Sequence, residues 1–387
     1  MNIYGVVILA TILVDFLLSK ISDSLNLKNM SDTIPDEFKA TFDNEKYVKS
    51  QLYTQTRTKY GFIIEMFDLS LLLIFWFSGG FNYLDQFVRS FQLSPIWSGV
   101  LFIFILMAAK SIISLPFDVY STFVIEERFG FNKTTPSTFI LDRLKALGLG
   151  VLLGIPLLAI VLGIFQYLGS SAWLYGWGVT TLISLLISYI APRWILPLFN
   201  KFEPLEDGEL KESIMKYAQS VDYSLAGIYK IDGSKRSTKS NAFFTGFGKN
   251  KRIALYDTLI GQISVKEMTA VLAHEIGHYK KKHIISGLIT GILQTGVMFY
   301  LLSIFLTHRG LFDTFFMQDM SIYAGLLFFG MLYSPIELLL SIGMNIMSRR
   351  NEFQADRFAC DTTHEPESMI NALKQLTVNN LMNLTPH

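Results

Sequence analysis

The sequence has few charged residues and almost no net charge. Asp, Glu, Lys and Arg together make up 17% of its 387 residues, whereas a soluble globular chain carries about 25%. The net charge of +1 predicts no nucleic-acid partner, because such a partner requires a basic stripe. The one cysteine, Cys360, excludes an internal disulfide and a cysteine-based zinc site.

Apolar residues instead make up 51% of the chain, and they are concentrated in blocks. Crossing a bilayer takes about 20 apolar residues, and runs of that kind occur near 3–19, 66–84, 95–115, 146–168, 173–192, 284–307 and 321–345. The first run could be a signal peptide, but no basic residue precedes it and no small-residue cleavage site follows Leu18. We interpret it as a retained span, which makes the protein a multi-pass membrane protein.

The positions of Lys and Arg predict the orientation of these spans. Nearly all of them lie in the first, third and fifth loops and in the C-terminal tail, and the other loops have almost none. Because short cytoplasmic loops are rich in Lys and Arg, we expect the odd-numbered loops and the C-terminus on the cytoplasmic side. The N-terminus then lies on the opposite side.

The only large polar block between apolar runs is 193–283, and its patterns predict a small folded unit. The stretch "EDGELKESIMKYAQSV" is typical of an amphipathic helix and "LAGIYKIDG" of a strand. The stretch "KSNAFFTGFGKNKRIALYD" predicts a β-hairpin that turns at Gly248-Lys249-Asn250. Ser264 and Glu267 match a capping box, which predicts the start of a further helix. The apolar face of the first helix would consist of Leu210, Ile214, Tyr217 and Val221.

The helix predicted after Ser264 carries the sequence "HEIGH", which indicates a zinc site. His274 and His278 are one turn apart on one helix face, at about 6 Å, so both imidazoles could bind one ion. Glu275 lies too far around the helix to be an easy third ligand, but it could take a proton from a water whose pKa the zinc lowers. The alternative is a helix whose histidines are ordinary surface or core residues.

A catalytic zinc needs a third protein ligand, and "SRRNEFQADRFACD" offers one. The two spans between 284 and 345 form a pair that returns the chain to the same membrane side. Glu352 suits the ligand role, and Asp356, on the same helical face, suits a hydrogen bond to a ligand histidine. The alternative is a salt-bridged helix that uses Arg349, Arg350 and Arg357.

These motifs resemble the M48 zinc metallopeptidases, and most closely the Ste24-type CAAX prenyl protease branch. Besides "HEIGH" and "NEFQAD", the resemblance rests on "EERFGFNKTTPSTFILD", "PLFNKFEPLEDGELKESI" and "SNAFFTGFGKNKRIALYDTLI". It implies a mainly α fold, with seven transmembrane helices in a barrel around a water-filled chamber. A zincin-like soluble metallopeptidase domain with a small β-sheet would close the cytoplasmic side of that chamber.

The resemblance also implies an activity and the residues that carry it. The activity is hydrolysis of peptide bonds near the C-terminus of prenylated CAAX proteins, with one zinc ion per chain. His274, His278 and Glu352 resemble the zinc ligands, Glu275 the general base and Asp356 the carboxylate behind a ligand. Asn241 and Ala242 resemble the start of the strand that pairs with substrate backbone.

On this basis we divide the chain into four parts. They are 1–192 with five spans and their loops, 193–283 as the soluble metalloprotease region, 284–345 with two spans, and 346–387 with the third ligand. The active site would face the cytoplasm, from the endoplasmic reticulum membrane in a eukaryote or the inner membrane in a bacterium. Members of the family usually continue beyond "NNLMNLTPH" with a segment that contains His-Pro and Glu-Arg, so we expect either a truncated chain or an enzyme that works without that segment.

Three other functions remain open at the level of sequence. A quality-control protease of the HtpX type usually has fewer spans and lacks the longer matching strings. An intramembrane protease buries its motif in an apolar run, whereas Lys266 and Lys280 flank this one. A transporter or scaffold could keep a zinc site without turnover.

Polar residues and glycines inside the apolar runs predict internal features of the bundle. Lys110, Gln294 and Glu337 would face the water-lined chamber or pair between helices, and Lys110 with Glu337 is a plausible ion pair. The glycine-rich run "LGLGVLLGIPLLAIVLG" predicts close helix packing and a kink at Pro156.

Overall fold

The structure, a computed structural model, describes residues 1–31, 33–39, 43–245 and 251–385. Within these residues seven helical segments are long and apolar enough to cross a membrane, which confirms the predicted polytopic α-helical fold. The segments are Ile3–Lys28, Asn44–Phe77, Pro95–Glu126, Pro136–Tyr167, Gly169–Phe199, His283–Phe305 and Ile322–Thr363.

Fourteen α-helices make up most of the described chain. They are α1 (Ile3–Lys28), α2 (Asn44–Phe77), α3 (Gly80–Arg89), α4 (Pro95–Tyr120), α5 (Pro136–Leu149), α6 (Ile155–Tyr167), α7 (Ala172–Ile190), α8 (Leu196–Phe199), α9 (Glu209–Ser220), α10 (Val265–Lys280), α11 (His283–Phe305), α12 (Arg309–Asp313), α13 (Ile322–Thr363) and α14 (Pro366–Asn379). Three π-helical segments extend α4, join α5 to α6 and join α7 to α8: Ser121–Glu126, Gly150–Gly154 and Ala191–Ile195.

Two predicted spans differ most in extent from the observed helical segments. The span expected near 66–84 begins earlier and ends at Phe77, because Gly79 adopts a left-handed backbone (φ 75°) and starts the separate helix α3. The last span continues past 345 as one helix of 42 residues, α13. The segment with the proposed third ligand is therefore a direct continuation of a membrane helix.

A dense aromatic core packs the end of the bundle near the start of α13. Phe315 stacks on Phe328 with ring centroids 3.9 Å apart, and Trp76 donates a hydrogen bond to the carbonyl of Thr314 at 2.8 Å. All three rings are fully buried. Tyr323, at the start of α13, belongs to this core. Glu352 lies 29 residues further along the same helix, or roughly 40 Å at 1.5 Å per residue. The core thus anchors the helix far from the predicted site.

A polar cavity of about 640 Å³ lies between α1, α2 and α13. Asp15, Glu65, Asp68 and Glu337 line it, which fits the predicted water-lined chamber. The predicted ion pair of Lys110 with Glu337 is wrong, because Lys110 bonds Asp68 on the neighbouring helix α2. Gln294 is half-buried on α11, and its contact with a chamber remains a prediction.

Three of the four glycines in the glycine-rich run do not produce the close packing that we expected; a Cβ atom on the fourth, Gly163, would lie 3.5 Å from Ile96 on α4. A Cβ atom on Gly148, Gly150 or Gly154 would meet no described atom within 4 Å. These glycines instead lie in or beside the π-helical segment Gly150–Gly154, which ends just before Pro156. The first three glycines therefore mark a local helix irregularity and not a tight helix contact.

The soluble part contains a four-stranded sheet with the order β1-β2-β4-β3. The strands are β1 (Phe202–Pro204), β2 (Gly227–Ile231), β3 (Ala242–Thr245) and β4 (Arg252–Tyr256). β2 and β4 are parallel, and the other two pairs are antiparallel. The hairpin of β3 and β4 is confirmed, but its predicted turn at Gly248-Lys249-Asn250 lies outside the described residues.

Helix α9 confirms the predicted amphipathic helix. Ile214 and Tyr217 are buried, and Leu210 and Val221 pack against the same soluble cores. The cores join α9 to the sheet and to α10 through Leu255, which is fully buried, and its neighbours. This packing holds α10 in place over the end of the membrane bundle.

Candidate metal centre

Helix α10 begins where the sequence predicted and presents the metal motif to α13. The Ser264 hydroxyl accepts from the Glu267 backbone N–H at 3.3 Å, and the Glu267 carboxylate accepts from the Ser264 N–H at 2.6 Å. This reciprocal cap satisfies two amide groups that a helix start leaves without partners. The helix then runs without interruption through His274, Glu275 and His278.

A glycine allows α10 to approach α13 very closely. A Cβ atom on Gly277 would lie 3.1 Å from both the Cα and the carbonyl oxygen of Ala355 and 3.2 Å from the ring of Phe358. Backbone atoms cannot move aside as a flexible side chain can. The bare Cα of Gly277 therefore sets the spacing between the two helices.

This spacing brings three potential ligand atoms together. His274 Nε2 lies 3.1 Å from His278 Nε2 and 3.3 Å from Glu352 Oε2, and His278 Nε2 lies 3.5 Å from the same oxygen. Donors about 2.1 Å from a tetrahedral ion are about 3.4 Å apart. The observed triangle therefore has the size that zinc requires, and its two nitrogens and one oxygen are a donor set that zinc accepts.

Hydrogen bonds orient both histidines. The Nδ1 atom of His274 lies 2.7 Å from Asp356 Oδ1, so an N–H at Nδ1 leaves Nε2 free to bind an ion. His278 Nδ1 lies 3.1 Å from Nδ1 of His283, the first residue of α11. The structure thus brings the predicted residues His274, His278, Glu352 and Asp356 into one cluster.

Glu275 lies beside this cluster and lines the same cleft. Burial raises the pKa of its carboxyl group above the ordinary value, against the opposing effect of His274. Burial, together with the neighbouring His274, lowers the pKa of His278 and favours its neutral form. A neutral imidazole is the form that can donate a lone pair to a metal.

The cleft has a volume of about 560 Å³ and reaches from the soluble sheet to the membrane helices. Tyr223 and Phe244 line it on the side of the soluble part. On the other side its wall consists of Ile284, Gly287, Met344 and Met347, which belong to α11 and α13. One cavity therefore joins the ligand cluster to apolar side chains of α11 and α13.

The strand β3 places the remaining predicted residues at the edge of the sheet. Ala242 begins β3, which pairs only with β4 among the described strands. The Asn241 side chain is exposed, and its Oδ1 accepts from the Ala242 N–H at 2.8 Å. Because Phe244 of the same strand lines the cleft, the edge of β3 runs beside the cluster.

Two family models match consecutive parts of the chain. Residues 23–201 match a model described as CAAX prenyl protease N-terminal, five membrane helices, and residues 204–387 match Peptidase family M48. The chain belongs to peptidase family M48. It is thus a membrane metallopeptidase, as the sequence resemblance predicted.

Relatives and a solved structure of this M48 peptidase agree over nearly its whole length. It is 34% identical to CAAX prenyl protease 1 of Saccharomyces cerevisiae, over 93% of this chain and 85% of that protein. It is 31% identical to the CAAX prenyl protease 1 homolog of Homo sapiens, over 90% and 83%. The crystal structure of S. mikatae Ste24p superposes with a TM-score of 0.93 at 32% identity, covering 100% of this chain and 95% of that chain.

Sequence reasoning about this M48 peptidase missed most of the residues that line the cleft, among them Tyr223, Phe244 and His283. Tyr223 and Phe244 gave no signal, because isolated aromatic residues in a soluble region are usually core residues. His283 lies five residues after His278, and the helix spacing gives no reason to place it near the motif. The change of chain direction at Lys282, with φ of 62°, brings it there.

Proposed function

We propose that this M48 peptidase is a zinc metalloendopeptidase that hydrolyses peptide bonds near the C-terminus of prenylated membrane-attached proteins. The observation that carries the proposal is the triangle of His274, His278 and Glu352 in a cleft that continues to apolar membrane helices. The relatives named CAAX prenyl protease 1 support this substrate class.

The residues of the cluster divide the chemistry between them. His274, His278 and Glu352 would hold one zinc ion per chain, and Asp356 would hold the imidazole of His274 in the binding orientation. Zinc, when bound, supplies a Lewis acid that lowers the pKa of water at the site to about 7. The Glu275 carboxylate would accept a proton from that water and then pass it to the leaving amine.

The edge of β3 suits an extended peptide substrate. An added strand would pair with the backbone of residues from Asn241 and Ala242 onward, and its carbonyl groups would then pass beside the ligand cluster. Pairing through the backbone is tolerant of side-chain identity. It therefore fits a peptidase that recognises its substrate mainly by an attached lipid.

The membrane-facing part of the cleft suits the lipid. Ile284, Met344 and Met347 offer an apolar wall with the adaptable side chains that methionine provides. A prenyl group that enters between α11 and α13 would leave the adjacent peptide bonds near the cluster. The distribution of Lys and Arg supports a cytoplasmic position for this site, at the endoplasmic reticulum membrane in a eukaryote or the inner membrane in a bacterium.

The proposal is tested with a farnesylated peptide and its unfarnesylated twin, incubated with the purified protein in detergent. We expect release of the C-terminal tripeptide from the farnesylated peptide only, and loss of this release when a chelator is added. Equal cleavage of both peptides would support metallopeptidase activity but reject recognition of the lipid. That result is expected of a quality-control protease. Cleavage of neither by a zinc-loaded protein would favour a scaffold or transporter.

A further inference from the structure

Among the residues that the structure describes, no carboxylate contacts Nδ1 of the second histidine of the proposed site. His274 is oriented by Asp356, whereas the described neighbour of His278 Nδ1 is another imidazole nitrogen, His283 Nδ1, at 3.1 Å. Ligand histidines usually donate their second N–H to a carboxylate, a carbonyl or water. The two histidines of α10 are therefore oriented by different partners, a carboxylate for His274 and an imidazole for His278.

His283 is buried and has a partner on each side. It is 8% exposed, and its Nε2 lies 3.1 Å from Gln354 Oε1 on α13. Its ring is 5.1 Å from that of His278 at an interplanar angle of 76°, so the rings meet edge to face and do not stack. The contacts form a chain from Gln354 through His283 to His278.

Binding of an ion to His278 Nε2 allows the hydrogen bonds of this chain to run in one direction only, from His278 to Gln354. The imidazole must then carry its proton on Nδ1 and donate it to His283 Nδ1, since a neutral imidazole has one donor and one acceptor. His283 consequently carries its proton on Nε2 and donates it to the side-chain oxygen of Gln354. Every imidazole nitrogen in the chain has a partner in this arrangement. In the opposite arrangement the proton of His278 would lie on Nε2, the atom that must bind the metal.

We propose that His283 and Gln354 are positioning residues that fix the proton and the ring orientation of His278 for metal binding. This inference rests on the proposed zinc site. It assigns a function to the turn between α10 and α11, where the left-handed Lys282 allows the first residue of a membrane helix to fold back onto the ligand. It also joins α10, α11 and α13 at one point.

Two matched pairs of variants separate this role from simple packing. His283→Leu removes the acceptor, whereas His283→Asn places an amide oxygen near the position of Nδ1. Gln354→Leu removes the end of the chain, whereas Gln354→Glu retains an acceptor. His308→Asn, at an exposed position between α11 and α12, is the control.

The experiment measures Zn²⁺ dissociation constants of the full-length protein in detergent by competition with a chelator. It also records the visible absorption of the Co²⁺-loaded forms, which reports ligand geometry, and the unfolding temperature of the metal-free forms. We expect His283→Leu to weaken zinc binding by about 10- to 100-fold, and Gln354→Leu by a smaller factor. His283→Asn and Gln354→Glu should recover most of the affinity and the wild-type cobalt spectrum.

Three outcomes would overturn the proposal. Zinc affinity within twofold of wild type in both leucine variants would show that the contacts do not position the ligand. Equal losses of zinc affinity in His283→Leu and His283→Asn, with lowered unfolding temperatures, would show that His283 contributes only to packing. If His283→Leu does not fold, equal affinity of Gln354→Leu and Gln354→Glu would decide against the chain.

Failure of the zinc site itself gives a different result. The wild-type protein would then bind no zinc, or Glu352→Ala would bind it as tightly as wild type. Either result rejects the ligand assignment and the positioning role together. Zinc binding that is lost in Glu352→Ala but unchanged in the leucine variants rejects the positioning role alone.

Discussion

At the scale of single residues, the account depends on the different roles of neighbouring side chains on α10. The Nε2 atoms of His274 and His278 face Glu352 Oε2. Glu275, the residue after His274, lines the cleft but is not part of this triangle of ligand atoms. Ligands hold the ion in the ground state. A base acts on the proton that moves in the transition state.

Substitution of Glu275 therefore separates turnover from metal binding. We expect Glu275→Gln to keep one zinc per chain and to lower kcat by about 10²- to 10⁴-fold, because general-base catalysis contributes that much. Zinc content and single-turnover cleavage of the farnesylated peptide check this. The exposed Glu212→Gln on α9 is the control, and a zinc-loaded Glu275→Gln with wild-type kcat would exclude Glu275 as the base.

We predict that Asp356 affects metal binding through its contact with His274. We expect Asp356→Ala to raise the zinc dissociation constant by about 10- to 100-fold, because the imidazole loses the partner that fixes its orientation. The matched control is Asp361→Ala. The Asp361 carboxylate is exposed on the same helix, and its ion pair with Arg357 is long, at 3.8 Å. Equal zinc affinities of the two variants, measured by chelator competition, would contradict this role.

At the scale of elements, the site depends on how closely α10 lies against α13. The sequence predicted α10 and the two histidines that we propose as ligands, because a capping box and an i, i+4 pair of histidines are local signals. It contained no local signal for the contact of Gly277 with Ala355. It also did not predict that α13 is one helix from the membrane to Thr363, since apolar periodicity ends where the charged residues begin.

A side chain on Gly277 should force the two helices apart. We expect Gly277→Val to destabilise the protein by about 1–3 kcal/mol, the usual result of overpacking, and to weaken zinc binding, because the triangle widens. The measurements are the unfolding temperature and the zinc dissociation constant. Gly343→Val on α13 is the control, since a Cβ atom there meets no described atom within 4 Å.

Retention of wild-type stability and zinc affinity by Gly277→Val would show that the helix contact does not set the ligand geometry. Loss of both properties in Gly343→Val as well would indicate a general intolerance of the bundle to valine. The comparison therefore tests the contact between α10 and α13 and not the tolerance of a single helix to valine.

At the scale of the whole molecule, the fold joins a soluble sheet, a cluster of potential metal ligands and a membrane bundle. Hydropathy alone predicted the number of spans, because a bilayer imposes a length on apolar runs. The family resemblance supplied what hydropathy cannot, namely the arrangement of helices that converge on one cleft. Ion pairs inside the bundle were not predictable, as Lys110 shows, because the choice of partner depends on which helices are neighbours.

The orientation of the bundle remains a prediction that labelling can test. In a Cys360→Ser background, we expect Asp207→Cys to react with a membrane-impermeant thiol reagent only from the cytoplasmic side. Tyr167→Cys, exposed at the end of α6, should react only from the opposite side. Mass shifts in sealed vesicles of known orientation measure both, and a reversed pattern would contradict the inference from Lys and Arg.

The most direct test of the central claim is a zinc titration of activity. The protein is stripped with a chelator, and cleavage of the farnesylated peptide is measured as Zn²⁺ is added back. The account predicts no cleavage without metal and a rise that reaches its plateau at one zinc per chain. Cleavage that persists in the stripped protein, or full zinc loading without cleavage, would contradict it.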